Sequence, residues 1–178
     1  MIELKLGPPH KIRIWAGEIP KLPCAVGEYV NHSLSSPGLI VKDRQLVGVE
    51  LFIRAGARSL YGFLVGEFLS MPSEALAIKV ATTTQVGEVV DWALLRNIDQ
   101  VFAGLPVEYG TSIIQGVIEM DAGHLLGSGV LQFNCAAHSL VGSSGDIFRR
   151  IARLIVYLLS NRGDLSNHDK IRALLELG

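Results

Sequence analysis

The residues from 130 to 160, VLQFNCAAHSLVGSSGDIFRRIARLIVYLLS, constrain this chain more than any other stretch. They read as a strand, a short polar loop and an amphipathic helix. Along 130–138, Leu131, Phe133, Cys135 and Ala137 share one parity and Gln132, Asn134 and His138 the other. That is a period of two with one face buried. Gly142 breaks the strand, and Ser143 stands at the capping position with Asp146 three residues on. A hydroxyl and a carboxylate at that spacing satisfy free N–H groups of a first helical turn. Ile147, Ile151, Leu154, Ile155 and Leu158 recur at helical spacing as the buried stripe. Arg149, Arg150 and Arg153 fall beside it, on a basic flank.

With 178 residues, 49% of them hydrophobic, the chain suffices for one domain, 1–178, with a sizeable core. A formal net charge of −1 gives no global field to gather nucleic acid, so DNA is not expected and RNA contact has to be local. No apolar run approaches the roughly 20 residues of a membrane span. No signal peptide is in view, so the expected setting is the cytoplasm, with Cys24 and Cys135 as reduced thiols. On the apolar parity of its strand, Cys135 reads as a small core residue.

The N-terminus alternates as a strand to Leu6, breaks at Gly7-Pro8-Pro9, and resumes over 11–15. Residues 16–43 are rich in Gly, Pro and Ser and read as irregular, with a helical turn near 26–31. Residues 45–54 and 59–68 form a hairpin with its tip near Gly56. A further strand is expected over 75–84. Residues 87–97 fit a short helix or a buried strand equally well. A helix runs from about Glu108 to Met120 with Tyr109, Ile113, Val117 and Met120 on one stripe. Its Gly110 and Gly116 each weaken it by about 1 kcal/mol, which close packing against the sheet would explain. Residues 165–177 form a last helix, making 161–178 a helical extension of one α+β domain.

Four motifs in order resemble domain IV of the translocation GTPase elongation factor G, almost end to end. Gly7, Pro9 and Arg13 match its opening Gly-x-Pro and following arginine, and Arg58, Tyr61 and Gly62 match its Gly-Arg-x-x-Tyr-Gly hairpin, with Ala57 at the first glycine. Pro106, Glu108, Tyr109 and Gly116 match the entry to its first helix. His138, Ser143 and Ser144 match its last strand, loop and helix, with one extra residue in the loop. The resemblance implies a sheet of about four or five strands with two main helices on one face, plus the C-terminal helix. The same architecture occurs in a small-subunit ribosomal protein and in GHMP kinases. It also implies a translation role, with two tip loops that contact RNA or the ribosome. In archaeal and eukaryotic relatives the loop histidine is the diphthamide site. The chain departs from the family in having no Gly-x-x-x-x-Gly-Lys-Ser/Thr, hence no GTP cradle. Leu60 stands where the family has glutamine, and the segment from Gly62 to Pro106 is about a dozen residues longer than in the family.

The resemblance makes Arg54, Arg58, His138, Arg149 and Arg150 the candidate RNA-binding residues, arginines being suited to phosphate. By strand parity His138 is expected to be exposed at the loop edge. Ser143, Ser144 and Gly145, opening a helix, are candidates for holding a small anion, as a Gly-Ser-Ser loop does in GHMP kinases. The competing reading of that loop is a helix cap. Cys135 and His138 have half the spacing of a zinc site, but parity puts them on opposite faces and a second pair is missing. No cofactor and no metal are expected. The expectation is a non-catalytic binding module for the ribosome or a structured RNA. The alternatives are an anion-binding enzyme and a domain for protein interaction or homo-oligomerisation.

Overall fold

The long alternating run of residues 45–70 doubles back at Gly56, whose φ of 62° suits a residue without a side chain. This hairpin is the spine of the computed structural model, which describes residues 1–5, 10–24, 26–38 and 44–175. In chain order the elements are β1 (Ile2–Lys5), β2 (Lys11–Ala16), β3 (Glu28–Ser35), β4 (Gln45–Ala55), β5 (Arg58–Ser70), β6 (Ala75–Thr82), β7 (Val101–Ala103), α1 (Val107–Glu119), α2 (Ala122–Leu126), β8 (Gly129–Ser139), α3 (Gly145–Ser160) and α4 (His168–Leu174). The expected break at Gly7-Pro8-Pro9 lies outside the described residues, as does the end of the last helix.

The expectation of four or five strands with two main helices is overturned: the described residues form one mixed sheet of eight strands, with four short helices. Seven strands run in the order β1-β2-β4-β5-β8-β6-β3, antiparallel except for the β6–β8 pair. β5 lies along one flank of β8. On the other flank β6 pairs with its first half and β7 with its end, at residues 137–139. Two strands absent from the sequence reading account for most of the discrepancy. The stretch read as irregular contains β3, an edge strand of polar, mostly exposed residues paired with β6, so it carries little hydrophobic alternation. β7 is only three residues long. Residues 87–97 are neither helix nor strand but a run of turns with one bridge, Val89 to Phe102.

Two cores lie on the two faces of the sheet. On the front, Leu51, Leu64, Phe68, Ile78 and Phe133 meet the apolar stripes of α1 and α3, with Ile171 and Leu174 of α4 joining them. Helix α3 sits close because β5 presents glycines beneath it. A Cβ built on Gly62 would stand 2.8 Å from Ile151 Cδ1. The two helix glycines have different neighbours. Gly110 faces Val30 and Thr82 of the sheet, whereas Gly116 faces the backbone of α3 at Arg149. On the back, Trp15, Phe63 and Trp92 meet edge to face, with ring centroids 5.3–6.0 Å apart. The cover there is irregular chain: the 84–100 loop supplies Val90, Ala93 and Leu95, and the 17–24 segment adds Ile19 and Leu22.

The cysteines are not reduced thiols. Cys24 and Cys135 are joined by a disulfide, Cα to Cα 5.5 Å, across 111 residues. Cys135 reaches Cys24 because a bulge turns it to the back face. β5 pairs through Val65–Cys135 and then Glu67–Gln132, so Phe133 and Asn134 together lie opposite the single residue Gly66. Before the bulge Leu131 and Phe133 face the helices. After it, Ala136 does so while Cys135 and Ala137 join the back core. Among the described residues no helix is long and apolar enough to cross a membrane.

Candidate functional site

The hairpin turn and the β8–α3 loop meet at one end of the sheet, because β5 and β8 are neighbours running in opposite directions. Two bonds fasten them: the Tyr61 amide donates to the Gly142 carbonyl (2.9 Å), and the Ser143 hydroxyl donates to the Tyr61 carbonyl (2.7 Å). A Cβ on Gly142 would fall 2.5 Å from the Ser59 carbonyl oxygen, so only glycine allows this approach. A third segment completes the tip, where the Asp99 carboxylate accepts from the Val141 amide at 3.3 Å. Between the three lies an open cleft of about 630 Å³, lined by Arg58, Leu60, Ile98, Asp99, Val141 and Ser144.

The bulge overturns the exposed placement of His138. It shifts the strand by one residue, which turns the parity of Ala136 and His138 to the helix face, and His138 is buried, 7% exposed. Its Nδ1–H donates to the Gly104 carbonyl (3.0 Å), and Phe102 of β7 is its cross-strand neighbour. A sealed, bonded imidazole does not reach an external RNA.

The arginines divide into two groups. Arg54 and Arg58 flank the turn, both exposed, and neither has an ion-pair partner among the described residues. Arg149 and Arg150 instead serve the packing of α3. Arg149 pairs with Glu119 of α1 (3.1 Å) and with Asp146 (2.8 Å). Arg150 pairs with Asp146 (2.7 Å) and donates to the Leu175 carbonyl (3.0 Å). Burial alone would raise the Asp146 carboxyl, but bonds and charge from the two arginines outweigh it and hold it below its ordinary value. The mutual bonds also raise the Arg149 guanidinium, chiefly through Asp146.

At the start of α3 the cap is Ser144, not the expected Ser143: the Ser144 side chain accepts from the Ile147 amide (3.4 Å). Ser143 is committed elsewhere, its one hydroxyl proton going to Tyr61 while its oxygen accepts from the Ser139 amide (2.9 Å). Gly145 stands against the Ser112 hydroxyl, where a Cβ would lie at 2.3 Å. Asp146 places a carboxylate in the first turn. Of the three residues read as an anion cradle, Ser143 has its hydroxyl proton bonded to Tyr61 and Ser144 serves as the helix cap. Among the described residues no three His, Cys, Asp or Glu side chains converge as a metal site.

What sequence reasoning missed at the tip is its apolar rim. Ile98 is 59% exposed, Leu140 65% and Val141 87%. Leu140 and Val141 were visible as two large hydrophobic residues in a loop, but Ile98 reaches the tip only through the fold of residues 84–100. The chain matches no protein-family model, no curated protein and no solved structure.

Proposed function

We propose that this chain is a non-catalytic binding module that docks a protein partner at its tip. The observation that carries this reading is that exposed Ile98 and Val141 line one cleft built by three chain segments, with exposed Leu140 next to Val141 in the loop. Large apolar side chains gathered within a border of polar ones mark a protein-contact surface. Arg54 and Arg58 beside them supply charges for the rim of such a contact. The test is affinity capture from a cell extract, comparing wild type with Val141→Asp, Ile98→Asp and, at the far end of β5, Leu69→Asp. The reading expects a nuclease-resistant partner lost from both tip variants and kept by the Leu69 variant.

The RNA or ribosome reading, which the resemblance to elongation factor G domain IV suggests, is favoured by one observation, the two exposed arginines at the turn, which have no ion-pair partner among the described residues. It now rests on Arg54 and Arg58 without His138, Arg149 or Arg150. Under that reading, Arg58→Ala weakens ribosome co-sedimentation and flattens its salt dependence, since each lost phosphate contact reduces the counterions released. Under the protein-docking reading, Val141→Asp is the more damaging change. A second copy of this chain as partner would show as a concentration-dependent dimer that Val141→Asp abolishes.

A further inference from the structure

The irregular segment from Gly17 to Cys24 crosses the back of the sheet as a strap. At its start the Gly17 amide donates to the Leu46 carbonyl (2.9 Å). Among the described residues, no backbone hydrogen bond ties positions 18–24 to the sheet. What holds the strap is the apolar contact of Ile19 and Leu22 with the back core and the disulfide from Cys24 to β8. Both cysteines are only half-buried. Beside the bridge opens a depression of about 500 Å³ lined by Pro23, Cys24, Val86, Gly87 and Glu88. Small thiols therefore have a path to the sulfurs. Beneath the strap lies apolar surface: Trp15 is 7% exposed, and Ile19 fills the space over Gly48, where a Cβ would stand 3.0 Å from its Cδ1.

We propose that the Cys24–Cys135 bridge is a redox-sensitive latch, whose opening frees the 17–24 strap and uncovers the apolar back of the sheet while the front core stays folded. The chemistry is thiol–disulfide exchange with a dithiol. One thiolate of the reductant attacks a bridge sulfur to give a mixed disulfide. Its second thiolate displaces the protein sulfur and leaves as the cyclic disulfide. The bridge gains two electrons and two protons and becomes two thiols. The back core is then held against a tether of unbonded chain, the kind of segment that opens locally at low free energy.

Native-state proteolysis tests this directly, since Lys21 is exposed in the middle of the strap. Wild-type protein is treated with trypsin with and without dithiothreitol, and the thiols are counted by alkylation and mass spectrometry. The expected result is two alkylated cysteines and cleavage after Lys21 faster by about tenfold or more, with the rest of the sheet intact. Intrinsic fluorescence shifts to the red as Trp15 meets water. A Cys24→Ser, Cys135→Ser double variant behaves like the reduced protein without reductant. Should that variant fold poorly, the reduced wild type still gives the answer. An unchanged rate at Lys21, a bridge that resists dithiothreitol in the native protein, or cuts appearing throughout the chain at once would each overturn the latch.

Discussion

The Tyr61 hydroxyl donates to Glu50 Oε1 at 3.0 Å, next to the hairpin ladder in which Glu50 is paired with Phe63. Glu50 is fully buried in the middle of β4, and the same oxygen accepts from the Leu94 amide (2.7 Å). Its other oxygen accepts from Arg13 (3.3 Å), which also donates to the Trp92 carbonyl (3.1 Å). One carboxylate thus pins the irregular 84–100 loop, which carries Ile98 and Asp99 to the tip, onto the back of the sheet. Buried polar groups are tolerated when every member is bonded, and this network meets that condition at Glu50.

Burial raises the Glu50 carboxyl above its ordinary 4.5, and the bonds from Leu94, Tyr61 and Arg13 only partly oppose the shift. Above pH 4.5 the unfolded chain releases this proton while the folded chain still holds it. The folded state then binds more protons, so stability falls as pH rises from the ordinary to the raised value and is level beyond it. Urea midpoints measured against pH for wild type and Glu50→Gln check this. Their difference is expected to move against wild type over that window, and a constant difference would contradict it.

Removing only the hydroxyl, in Tyr61→Phe, is expected to cost about 1 kcal/mol in chemical denaturation. Glu50→Ala leaves the Leu94 amide and the Tyr61 hydroxyl without their acceptor, while Arg13 keeps Glu3 and the Trp92 carbonyl, and is expected to cost about 2–3 kcal/mol. It should also broaden amide signals across the 84–100 loop by NMR, whereas Tyr61→Phe should not.

Two glycine substitutions should differ in severity. Gly62→Ala clashes with the movable end of Ile151, at 2.8 Å, and touches Ile147 and Phe148 at 3.4–3.5 Å, so a small loss is expected and Ile151→Val in the same molecule should recover most of it. Gly116→Ala meets the Arg149 carbonyl oxygen at 2.4 Å, where neither backbone can yield cheaply. It is expected to destabilise by about 2 kcal/mol, despite a gain of about 1 kcal/mol in helix propensity. Thermal or urea melts of the three variants decide the matter.

Reducing the disulfide should lower global stability by about 4–5 kcal/mol, the chain-entropy value for a loop of about a hundred residues. The check is a pair of urea curves with and without dithiothreitol, with a smaller midpoint expected on reduction and a shallower slope, since the freed strap already exposes surface in the folded state.

The elements legible in the sequence were those with an apolar period. β4, β5, β8, α1 and α3 announce themselves through alternation or a helical stripe, and their bounds fall within a few residues of the expected ones. β3 was not legible because an edge strand facing water needs no alternation. The bulge at Phe133–Asn134 left no local mark either, since VLQFNCAAH alternates as well as any regular strand. Its signal lies in the partner strand, where Gly66 has no side chain to oppose two residues. That one inserted residue accounts for two errors together: it buries His138 and turns Cys135 to meet Cys24. Several residues behind the resemblance to elongation factor G have structural work in this chain. Tyr61 bonds Glu50, Tyr109 stacks on Phe148 and donates to the Ser143 carbonyl, and Gly62 and Gly116 admit α3. The meeting of the two tip loops was implied only by the resemblance and follows in the structure from the β5–β8 pairing, while the apolar character of the tip depended on a loop whose path no periodicity records.

A photo-crosslinking side chain placed at position 141, with position 69 as the control, tests docking at the tip most directly. In cell extract, docking at the tip predicts a discrete protein adduct at 141 that survives ribonuclease and is absent at 69. Adducts that vanish on ribonuclease treatment, or equal labelling at both positions, would contradict it.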